Sequence, residues 1–495
     1  MKTLHIIPNV ILLVSMLFSI HATSQFSQQA KIVSPNRESR AEYGTATDIR
    51  GNYAIVGSPR HNIAAGAAYI YEKNGEGQWE YLQSLIADDA LEMAEFGGAV
   101  KMTEDYIVVA SGRADIGSEI RAGALYVYNK SGQAWDFSSK LVASNYSGDD
   151  KLGMNNTSID TQGDIIVGGA PGANGWVGRV YVFERSEEVW NEVQIIENPA
   201  NTNDTFGISV ALSGDLMVIG ANESNGLKGS AYIYYKDSNG FWVMQQQITA
   251  SDSAAEDFFG TSVSVDGETI VVGAYGHQGF KGAAYIFKKD SSGVWIQSQK
   301  LISSTQIPEA YFGWQCEIQG TNLIVGAPHI YASTQGEVFI FRENGDGEWV
   351  ETQLVQSDDI SAEDFYGWAV ALFEDQIVVG APWEDEDESG NNPIDRAGSA
   401  YIFKNPTLGT PDFSSPANEV VCYPNPADNI FIIESKTASL DRIKIYGING
   451  ILLQELYVKG GKTAQLHTQD LAKGVYLVQI EQQGGFNNYQ KMVKQ

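Results

Sequence analysis

A glycine recurs at nearly constant spacing along most of the chain. We take as an anchor the glycine that ends each "FG"-like pair, in which an aromatic or apolar residue precedes it. The seven anchors lie 53 to 56 residues apart, at Gly44, Gly97, Gly153, Gly207, Gly260, Gly313 and Gly367. A constant period over seven units is typical of repeat architectures, in which each unit is one small structural element that cannot bury its apolar face alone.

Each unit carries the signals of four short strands. In the fifth unit a turn at Asp266-Gly267 separates an alternating segment from the apolar run 270–272, and "GAAYIF" at 282–287 and a segment beginning at Trp295 follow. Strand-length segments joined by turn residues, with no helical period, indicate antiparallel β-structure. The continuous apolar runs indicate middle strands that are buried on both faces. We therefore predict an all-β fold, a seven-bladed β-propeller followed by a small C-terminal β-sandwich domain.

The two ends of the repeat region complement each other. The seventh unit stops after "GSAYIF" at 398–403 and lacks the tryptophan strand that six units have. Near the N-terminus, "QQAKIVSPNRES" at 28–39 is similar to "QSQKLISSTQIP" at 297–308, which contains that strand. We predict that this first segment supplies the outer strand of the last blade, because pairing there satisfies an open sheet edge.

The pattern "FG…VSVDG…IVVGAP…G.AYIF" resembles the FG-GAP repeat family, the propellers also found at the head of integrin α chains. The resemblance covers about residues 31–404, and it implies extracellular recognition or adhesion. Integrin propellers carry a DxDxDG calcium loop between the first two strands of some blades. The equivalent turns here, such as "DIRGN" and "VDGE", are short and poor in acids, so the resemblance does not carry that calcium site over.

The regions outside the repeats predict export. Residues 1–24 have the charge and apolar run of a signal peptide. Residues 25–404 form the propeller, and 405–418 read as a linker rich in Pro, Ser and Thr. Residues 419–495 resemble the C-terminal sorting domain of type IX secretion in Bacteroidetes, with Tyr423, Pro424, Asn425 and Pro426 as its opening signature. This resemblance implies the type IX secretion machinery as a partner, and a secreted or outer-membrane surface location in a Gram-negative bacterium; a generic β-sandwich binding module is the alternative.

Composition narrows the classes of partner. Lys and Arg number 32 against 61 acidic residues, a formal net charge of −29. Such a chain repels phosphate backbones, so we predict no nucleic-acid partner. After the signal peptide, no segment is long and apolar enough to predict a transmembrane helix. The two cysteines, Cys316 and Cys422, fall in different predicted domains, and we predict that they are unpaired.

The loops between the second and third strands differ most from unit to unit, and variable loops on a rigid scaffold are where binding usually occurs. We therefore predict a ligand-binding face there, formed by the aromatic and histidine side chains Trp176, Tyr275, His277, Tyr331 and Trp383. Phe280 lies in the same set of loops, and Trp383 and Trp176 are the predicted anchors.

Other polar residues on this face have competing interpretations. Asp150, Asp204, Asp257 and Asp364 precede their anchors by three residues; they either bind their own turns or form a site. The histidines His61, His277 and His329 are predicted to be solvated loop residues and not a zinc site. The acidic loop at 383–395 is either a solvated charge run or a weak Ca²⁺ site through Asp385 and Asp387, and no other cofactor is predicted.

The function that these features favour is a secreted or cell-surface binding or adhesion propeller that recognises a protein or glycan through one face, and not an enzyme. The first strands carry Ser, Thr, Val and Trp, and we expect few charges near the axis, where propeller enzymes gather polar residues. The alternatives are a carbohydrate-active enzyme, either a lyase or a hydrolase, and a structural module of a surface assembly.

Overall fold

A computed structural model describes residues 25–405, 420–423, 429–435, 439–447, 452–458, 461–469, 471–482 and 487–494. The chain divides into two compact units, Met1–Asn405 and Pro406–Gln495. The predicted signal peptide, the linker from 406 onwards, and Pro424, Asn425 and Pro426 of the sorting signature lie outside the described residues.

The first unit contains seven four-stranded antiparallel sheets, which we number in chain order. Sheets 1 to 3 are formed by β2 (Ala46–Arg50), β3 (Tyr53–Ser58), β4 (Ala67–Lys73), β5 (Trp79–Leu85); β6 (Phe96–Met102), β7 (Tyr106–Ser111), β8 (Ala124–Ser131), β9 (Ala134–Leu141); and β10 (Ile159–Gln162), β11 (Ile165–Ala170), β12 (Arg179–Ser186), β13 (Val189–Glu197). Sheets 4 to 7 are formed by β14 (Ser209–Ser213), β15 (Leu216–Ala221), β16 (Ser230–Lys236), β17 (Trp242–Ile248); β18 (Val263–Asp266), β19 (Thr269–Ala274), β20 (Ala283–Lys289), β21 (Trp295–Leu301); β22 (Cys316–Gln319), β23 (Asn322–Ala327), β24 (Glu337–Glu343), β25 (Trp349–Val355); and β26 (Ala369–Phe373), β27 (Gln376–Ala381), β28 (Ser399–Lys404) with β1 (Ser27–Ile32).

The sheets form a closed ring around an axis. The first strand of each sheet contacts the first strand of the next, and β26 contacts β2. The prediction of an all-β fold built from repeated four-stranded antiparallel units is confirmed. Because seven inner strands meet at one axis, the residues along them decide what lines it.

The N-terminal strand closes the ring, as the sequence predicts. β1 pairs antiparallel with β28, with Lys31 opposite Tyr401 and Ile32 opposite Ala400. The seventh sheet therefore has its fourth strand from the other end of the repeat region. Phe26, just before β1, takes the place of the tryptophan that lies at or next to the start of the outer strand in the other six sheets. Gln353 bonds the backbone N–H of Phe26 at 2.7 Å and its carbonyl at 2.8 Å.

The second strand of each sheet is buried on both faces, and this explains its unbroken apolar sequence. In β7, Ile107 and Val109 belong to the core between sheets 1 and 2, while Val108 belongs to the core between sheets 2 and 3. All three side chains are at most 1% exposed. Neighbouring residues on one strand thus pack into two different cores, and this packing stabilises the ring. Cys316 and Cys422 are both free, as predicted.

The anchor glycines are required by geometry at the sheet junctions. Gly260 has a φ of +95°, a value that side-chain-bearing residues rarely adopt, and a Cβ there would overlap the carbonyl oxygen of Ser230. The preceding Phe259 is fully buried and meets Tyr285 edge to face at 5.6 Å. The "FG" pair therefore couples a core aromatic residue to the one residue type that the close backbone approach allows.

The loops between the second and third strands are not purely irregular. Four of them contain a four-residue helical turn with left-handed residues inside it: α1 (His61–Ala64), α2 (Ala173–Trp176), α3 (Ser224–Leu227) and α4 (His277–Phe280). The sequence shows no helical period here, because one such turn is too short to have a period.

The second unit contains two antiparallel sheets. The first has the order β29 (Val420–Tyr423), β30 (Ile430–Ser435), β33 (Thr463–His467), and the second has the order β32 (Leu452–Tyr457), β31 (Leu440–Gly447), β34 (Gly474–Gln482), β35 (Asn487–Lys494). Side chains from both sheets, including Phe431, Ile443 and Val478, form one apolar core. Two sheets around a shared core are what the predicted β-sandwich requires.

Candidate functional site

Two sets of loops meet on one face of the ring. The loop between strands two and three of one sheet bonds to the segment that leads into the next sheet, as Tyr311 N–H does to Phe280 O at 2.9 Å. It also bonds within its own sheet, as Gly276 N–H does to Asp257 O at 3.2 Å. These contacts place the predicted ligand-binding loops and the anchor segments on the same surface, which we call the loop face.

A ring of seven left-handed residues runs around the loop face, each two positions before an anchor glycine. Their φ values lie between +52° and +60°, at Glu42, Glu95, Lys151, Thr205, Phe258, Tyr311 and Phe365. Such backbone conformations are sparsely populated by residues other than glycine and often occur at functional sites. The residue types divide the ring in two: charged side chains in sheets 1 to 3, and aromatic ones in sheets 5 to 7.

The aromatic half continues into neighbouring side chains and forms one contiguous cluster. We define this aromatic patch as Phe258, Tyr275, Phe280, Tyr311, Trp314, Phe365, Trp368 and Trp383. Ring centroids are 5.0 Å apart for Phe258–Tyr275, 5.2 Å for Tyr275–Trp314, 4.7 Å for Trp314–Trp368 and 4.1 Å for Phe365–Trp383. Six of the eight side chains remain half-buried in the absence of a partner. The patch therefore offers aromatic surface across three sheets.

The charged half is held by ion pairs. Arg60 bridges Glu42 at 3.2 Å and Glu95 at 3.6 Å, and Arg113 also pairs with Glu95 at 3.2 Å. These groups are partly solvent-exposed, so each pair contributes little to folding. Their effect is to fix the positions of charges in sheets 1 and 2, on a part of the loop face that the aromatic patch does not cover.

The predicted ligand-binding residues fall into three environments. Tyr275 and Trp383 belong to the aromatic patch, and the Arg396 guanidinium lies over the Trp383 ring at 3.5 Å. Trp176 is 39% exposed in the charged half, with Lys151 over its ring at 4.1 Å. Tyr331 is 81% exposed and follows Ile330, which packs with Tyr311 and Phe365 of the patch. Trp176 and Trp383 therefore belong to different halves of the face.

The prediction of solvated loop histidines is wrong for His277 and His329. His277 is 5% exposed and contacts Asp257 at 3.1 Å and Lys300 at 2.6 Å. His329 is 1% exposed and bonds Glu337 at 3.2 Å. Both side chains fold back against their own sheets, where carboxylates satisfy them. His277 thus presents no ring to a ligand on the loop face.

The recurring aspartates bind their own turns. Ser147 N–H donates to Asp150 at 2.8 Å, and Ala254 N–H donates to Asp257 at 2.7 Å. Thr202 Oγ1 donates to Asp204 at 2.7 Å, and Ser361 N–H donates to Asp364. This confirms the structural interpretation, since each buried carboxylate satisfies the backbone or hydroxyl of the loop that carries it.

The two predicted calcium ligands are engaged within the acidic loop. Asp387 accepts hydrogen bonds from the Ser389 hydroxyl, from the Asn391 backbone N–H and from the Asn392 side chain, and these bonds hold its pKa well below the usual range. Asp385 accepts the Arg396 N–H at 2.6 Å. Among the residues that the structure describes, no three His, Cys, Asp or Glu side chains are grouped to hold a metal ion. The Ca²⁺ site stays a prediction.

Comparison with known families finds FG-GAP repeats at residues 26–71, 79–128, 190–234, 242–287 and 349–403. Residues 421–495 match the secretion system C-terminal sorting domain. The chain is an FG-GAP repeat protein with a type IX sorting tail. A comparison with curated proteins finds no match.

The FG-GAP matches are offset from the sheets. Residues 242–287 run from β17, the outer strand of sheet 4, to β20, the third strand of sheet 5. Each sequence repeat thus spans two sheets. The first match begins at 26, with the closing strand, so the offset explains why the N-terminus must complete the last sheet.

The sorting tail indicates type IX secretion, and therefore a secreted or outer-membrane surface location. None of the helices in the described part of the chain has the length and apolarity needed to span a bilayer. The FG-GAP repeats together with this tail fit a non-enzymatic surface protein.

The expectation of few charges at the axis of the FG-GAP ring is wrong. Asp48, Lys101, Asp160 and Glu317 all lie on inner strands and line cavities at the axis. Burial raises the pKa of Glu317 to about 7, and burial also raises the pKa of Asp48 and Asp160. Sequence reasoning missed these charges because the residue type at this position is not constant from unit to unit, so no repeated motif marks it.

Sequence reasoning also missed most of the aromatic patch. Trp314 and Trp368 directly follow the anchor glycines Gly313 and Gly367, and Phe258 and Tyr311 belong to the left-handed ring. The signal was present: the residue two positions before the anchor glycine is Glu, Glu, Lys and Thr in the first four units and aromatic in the last three, and the residue after the anchor is Trp in the last two units. It could be found only by comparing equivalent positions around the ring instead of loop by loop.

Proposed function

We propose that the FG-GAP ring is a surface binding or adhesion module that recognises an extracellular protein or glycan on its loop face, chiefly through the aromatic patch. The observation that carries this proposal is the division of seven equivalent positions into a charged and an aromatic half. A residue type that the fold requires should recur at the equivalent position of every sheet. A binding site for a partner instead needs particular residues in only some of the sheets.

The chemistry of the patch suits recognition. Trp and Tyr are enriched among the residues that dominate binding energies, because they bury large areas at low conformational cost. Half-buried aromatic side chains next to fixed charges give a partner an apolar contact and a defined orientation. Trp383 adds a guanidinium above its ring, which extends the patch towards the acidic loop.

A non-enzymatic role agrees with how the polar groups are used. Asp150 and Asp257 on the loop face, and Asp48 and Asp160 on the axis, already accept backbone N–H groups. A general acid or base must reach its substrate directly or through one water. Adhesion therefore accounts for the loop face better than catalysis does.

The test is a binding screen of the secreted full-length chain against a glycan array and against extracellular matrix proteins. For any ligand found, we expect the Trp368→Ala, Trp383→Ala double variant to weaken binding about 30-fold or more, since central aromatic anchors contribute about 2 kcal/mol or more. Surface plasmon resonance measures the change.

Phe241→Ala is the matched control, because Phe241 is 53% exposed but lies on the hairpin before β17, away from the patch. Its affinity should equal that of the parent protein. Full affinity in the double variant, together with loss of binding in Trp176→Ala, would move the site to the charged half. Degradation of a glycan by the parent protein would favour the enzyme alternative.

A further inference from the structure

A blind pocket follows the axis from the face opposite the loop face. Two cavities of about 260 Å³ and 160 Å³ share Lys101, Asp160 and Glu317 and form this axial pocket. Its inner end is lined by Asn156, whose amide donates to Gln315 Oε1 across the axis at 3.0 Å. Asn156 lies in a segment, 154–156, that the other sheets lack between anchor glycine and first strand. The pocket is therefore closed on one side by a feature unique to sheet 3.

One layer of equivalent residues, one from each inner strand, surrounds the axis where the two cavities meet. Each pairs with the third residue of the second strand in its sheet, and together they are Asp48, Lys101, Asp160, Ala211, Ser264, Glu317 and Ala371. The acceptors in this layer bind the backbone of the following sheet. Asp48 accepts Met102 N–H at 2.6 Å, Asp160 accepts Leu212 N–H at 2.7 Å, Ser264 accepts Ile318 N–H at 3.1 Å and Glu317 accepts Leu372 N–H.

This pattern gives the acids and the serine a structural role, but it does not explain Lys101. An ammonium cannot accept an N–H, and Lys101 Nζ forms no hydrogen bond or ion pair with any residue that the structure describes. Burial lowers the pKa of Lys101, but the nearby carboxylates of Glu317, Asp48 and Asp160 raise it by more. The net effect is a raised pKa. Lys101 is thus a fully charged cation that faces three carboxylates across a gap wider than 4 Å.

A second cation breaks the pattern one layer closer to the mouth. There Gln162, Ser213, Asp266 and Gln319 again accept N–H groups of the following turn. Arg50 instead lies over the Phe373 ring at 4.6 Å, and its buried Nε has no hydrogen-bond partner. The periodic hydrogen bonding therefore leaves two cations of adjacent sheets directed at the pocket.

The charge pattern excludes simple ions. A free anion would meet Asp48, Asp160, Glu317 and Asp266, and a metal cation would meet Lys101 and Arg50. Each cavity exceeds the roughly 30 Å³ of one water, and even together they reach only the lower end of the roughly 300–1,000 Å³ of drug-sized sites. A fitting ligand is small and carries both signs of charge.

We propose that the axial pocket binds a small zwitterion of the free α-amino acid class, whose carboxylate contacts Lys101 and whose ammonium contacts Glu317. Asp48 and Asp160 each accept two backbone N–H groups, whereas Glu317 keeps an oxygen for the ligand. A bound zwitterion would pair Lys101 with a carboxylate. Its ammonium would balance that negative charge, so the ligand would bring no net charge into the ring. This site is independent of the loop face and of the function proposed for it.

The test is isothermal titration of the secreted full-length chain with each of the twenty L-amino acids at pH 7.5. For the best ligand, the N-acetyl and the carboxamide derivatives each remove one charge. We expect each derivative to bind at least about tenfold more weakly, because hydrogen bonds to charged groups contribute about 1.5–3 kcal/mol.

Variants test the assigned contacts. Lys101→Met and Glu317→Gln should each weaken binding at least about tenfold. Ala211→Leu fills the pocket without changing a charge and should abolish binding even if Lys101→Met fails to fold. Lys289→Met, an exposed lysine on β20, is the control and should bind like the parent protein. The Trp368→Ala, Trp383→Ala variant should also bind normally, which separates this site from the loop face.

Three outcomes would overturn the proposal. They are binding of no amino acid at millimolar concentration, equal binding of the N-acetyl or carboxamide derivative, and unchanged affinity in Ala211→Leu. Tighter binding of Ca²⁺, sulfate or a neutral sugar at the same residues would assign the pocket to another ligand and would equally refute the zwitterion.

Discussion

At the scale of single residues, the anchor glycines act through steric exclusion. The positive φ at Gly260 costs any other residue about 1–3 kcal/mol, and the overlap of a Cβ with Ser230 O adds to that. We expect Gly260→Ala to lower the free energy of unfolding by about 2–4 kcal/mol. Urea denaturation followed by tryptophan fluorescence measures this for the ring alone, since all ten tryptophans lie between residues 79 and 383.

Gly267→Ala in the hairpin turn of the same sheet is the control. Its φ is +54°, but a Cβ there would meet nothing within 4 Å. It should cost only about 1 kcal/mol, the penalty of the left-handed backbone. Equal losses in the two variants would show that contact between sheets is not what requires the anchor glycine.

At the scale of elements, a glutamine on five of the seven outer strands joins neighbouring sheets. Its side chain bonds both the N–H and the carbonyl of an aromatic residue at or next to the start of the next outer strand, at 2.7–2.9 Å. The pairs are Gln83–Trp135, Gln194–Trp242, Gln246–Trp295, Gln299–Trp349 and Gln353–Phe26. Register places Ser139 and Ala30 at the equivalent position in the two remaining junctions. There, Trp190 and Trp79 lack this contact.

Installing the missing glutamine should strengthen the ring where it closes. A cleft of about 540 Å³ lined by Trp79 and by Lys31, the residue after Ala30, lies at the junction of sheets 7 and 1. We expect Ala30→Gln to raise the free energy of unfolding by about 1 kcal/mol through two hydrogen bonds. Differential scanning calorimetry measures the change, with Ser27→Gln on the same strand as the control. A gain of similar size in both variants would argue against the specific contact.

At the scale of the whole molecule, buried carboxyls make the ring sensitive to pH. Lys31 of the closing strand pairs with Asp359 at 2.8 Å and Glu384 at 3.2 Å. Burial nevertheless raises the pKa of Glu384 and of the nearby Asp364 to about 7 each. Above about pH 4.5 both groups still hold their protons in the folded state, whereas the unfolded chain releases them. Their contribution to the free energy of unfolding is therefore fully present in acid and is lost as the pH rises towards 7.

We therefore expect the ring to be more stable at pH 5 than at pH 8, by on the order of 3 kcal/mol. Carboxyls with lowered pKa values, such as Asp89 and Asp252, lose their contribution only below about pH 4 and do not offset this trend. Urea denaturation at unit steps of pH measures the slope, and Glu384→Gln should flatten it. Stability that is constant or increases between pH 5 and 8 would contradict the expectation.

The sequence alone determined the repeat, its four-strand content, the closing strand and the sorting tail. These follow from local patterns: a period near 54 residues, apolar runs for twice-buried strands, and the similarity of residues 28–39 to an outer strand. Hydrophobic periodicity and turn residues act over a few positions, so they can be read without knowing which segments meet in space.

Only the tertiary structure decided what the loop face and the axis contain. Phe258, Trp314 and Trp383 are separated by up to 125 residues, and a closed ring brings their sheets side by side. Lys101 and Glu317 are 216 residues apart, yet they line one pocket because seven inner strands converge. His277 and His329 turned inward because buried carboxylates lie within reach of their rings. Such contacts depend on ring closure and on side-chain direction, and neither is a property of a short segment.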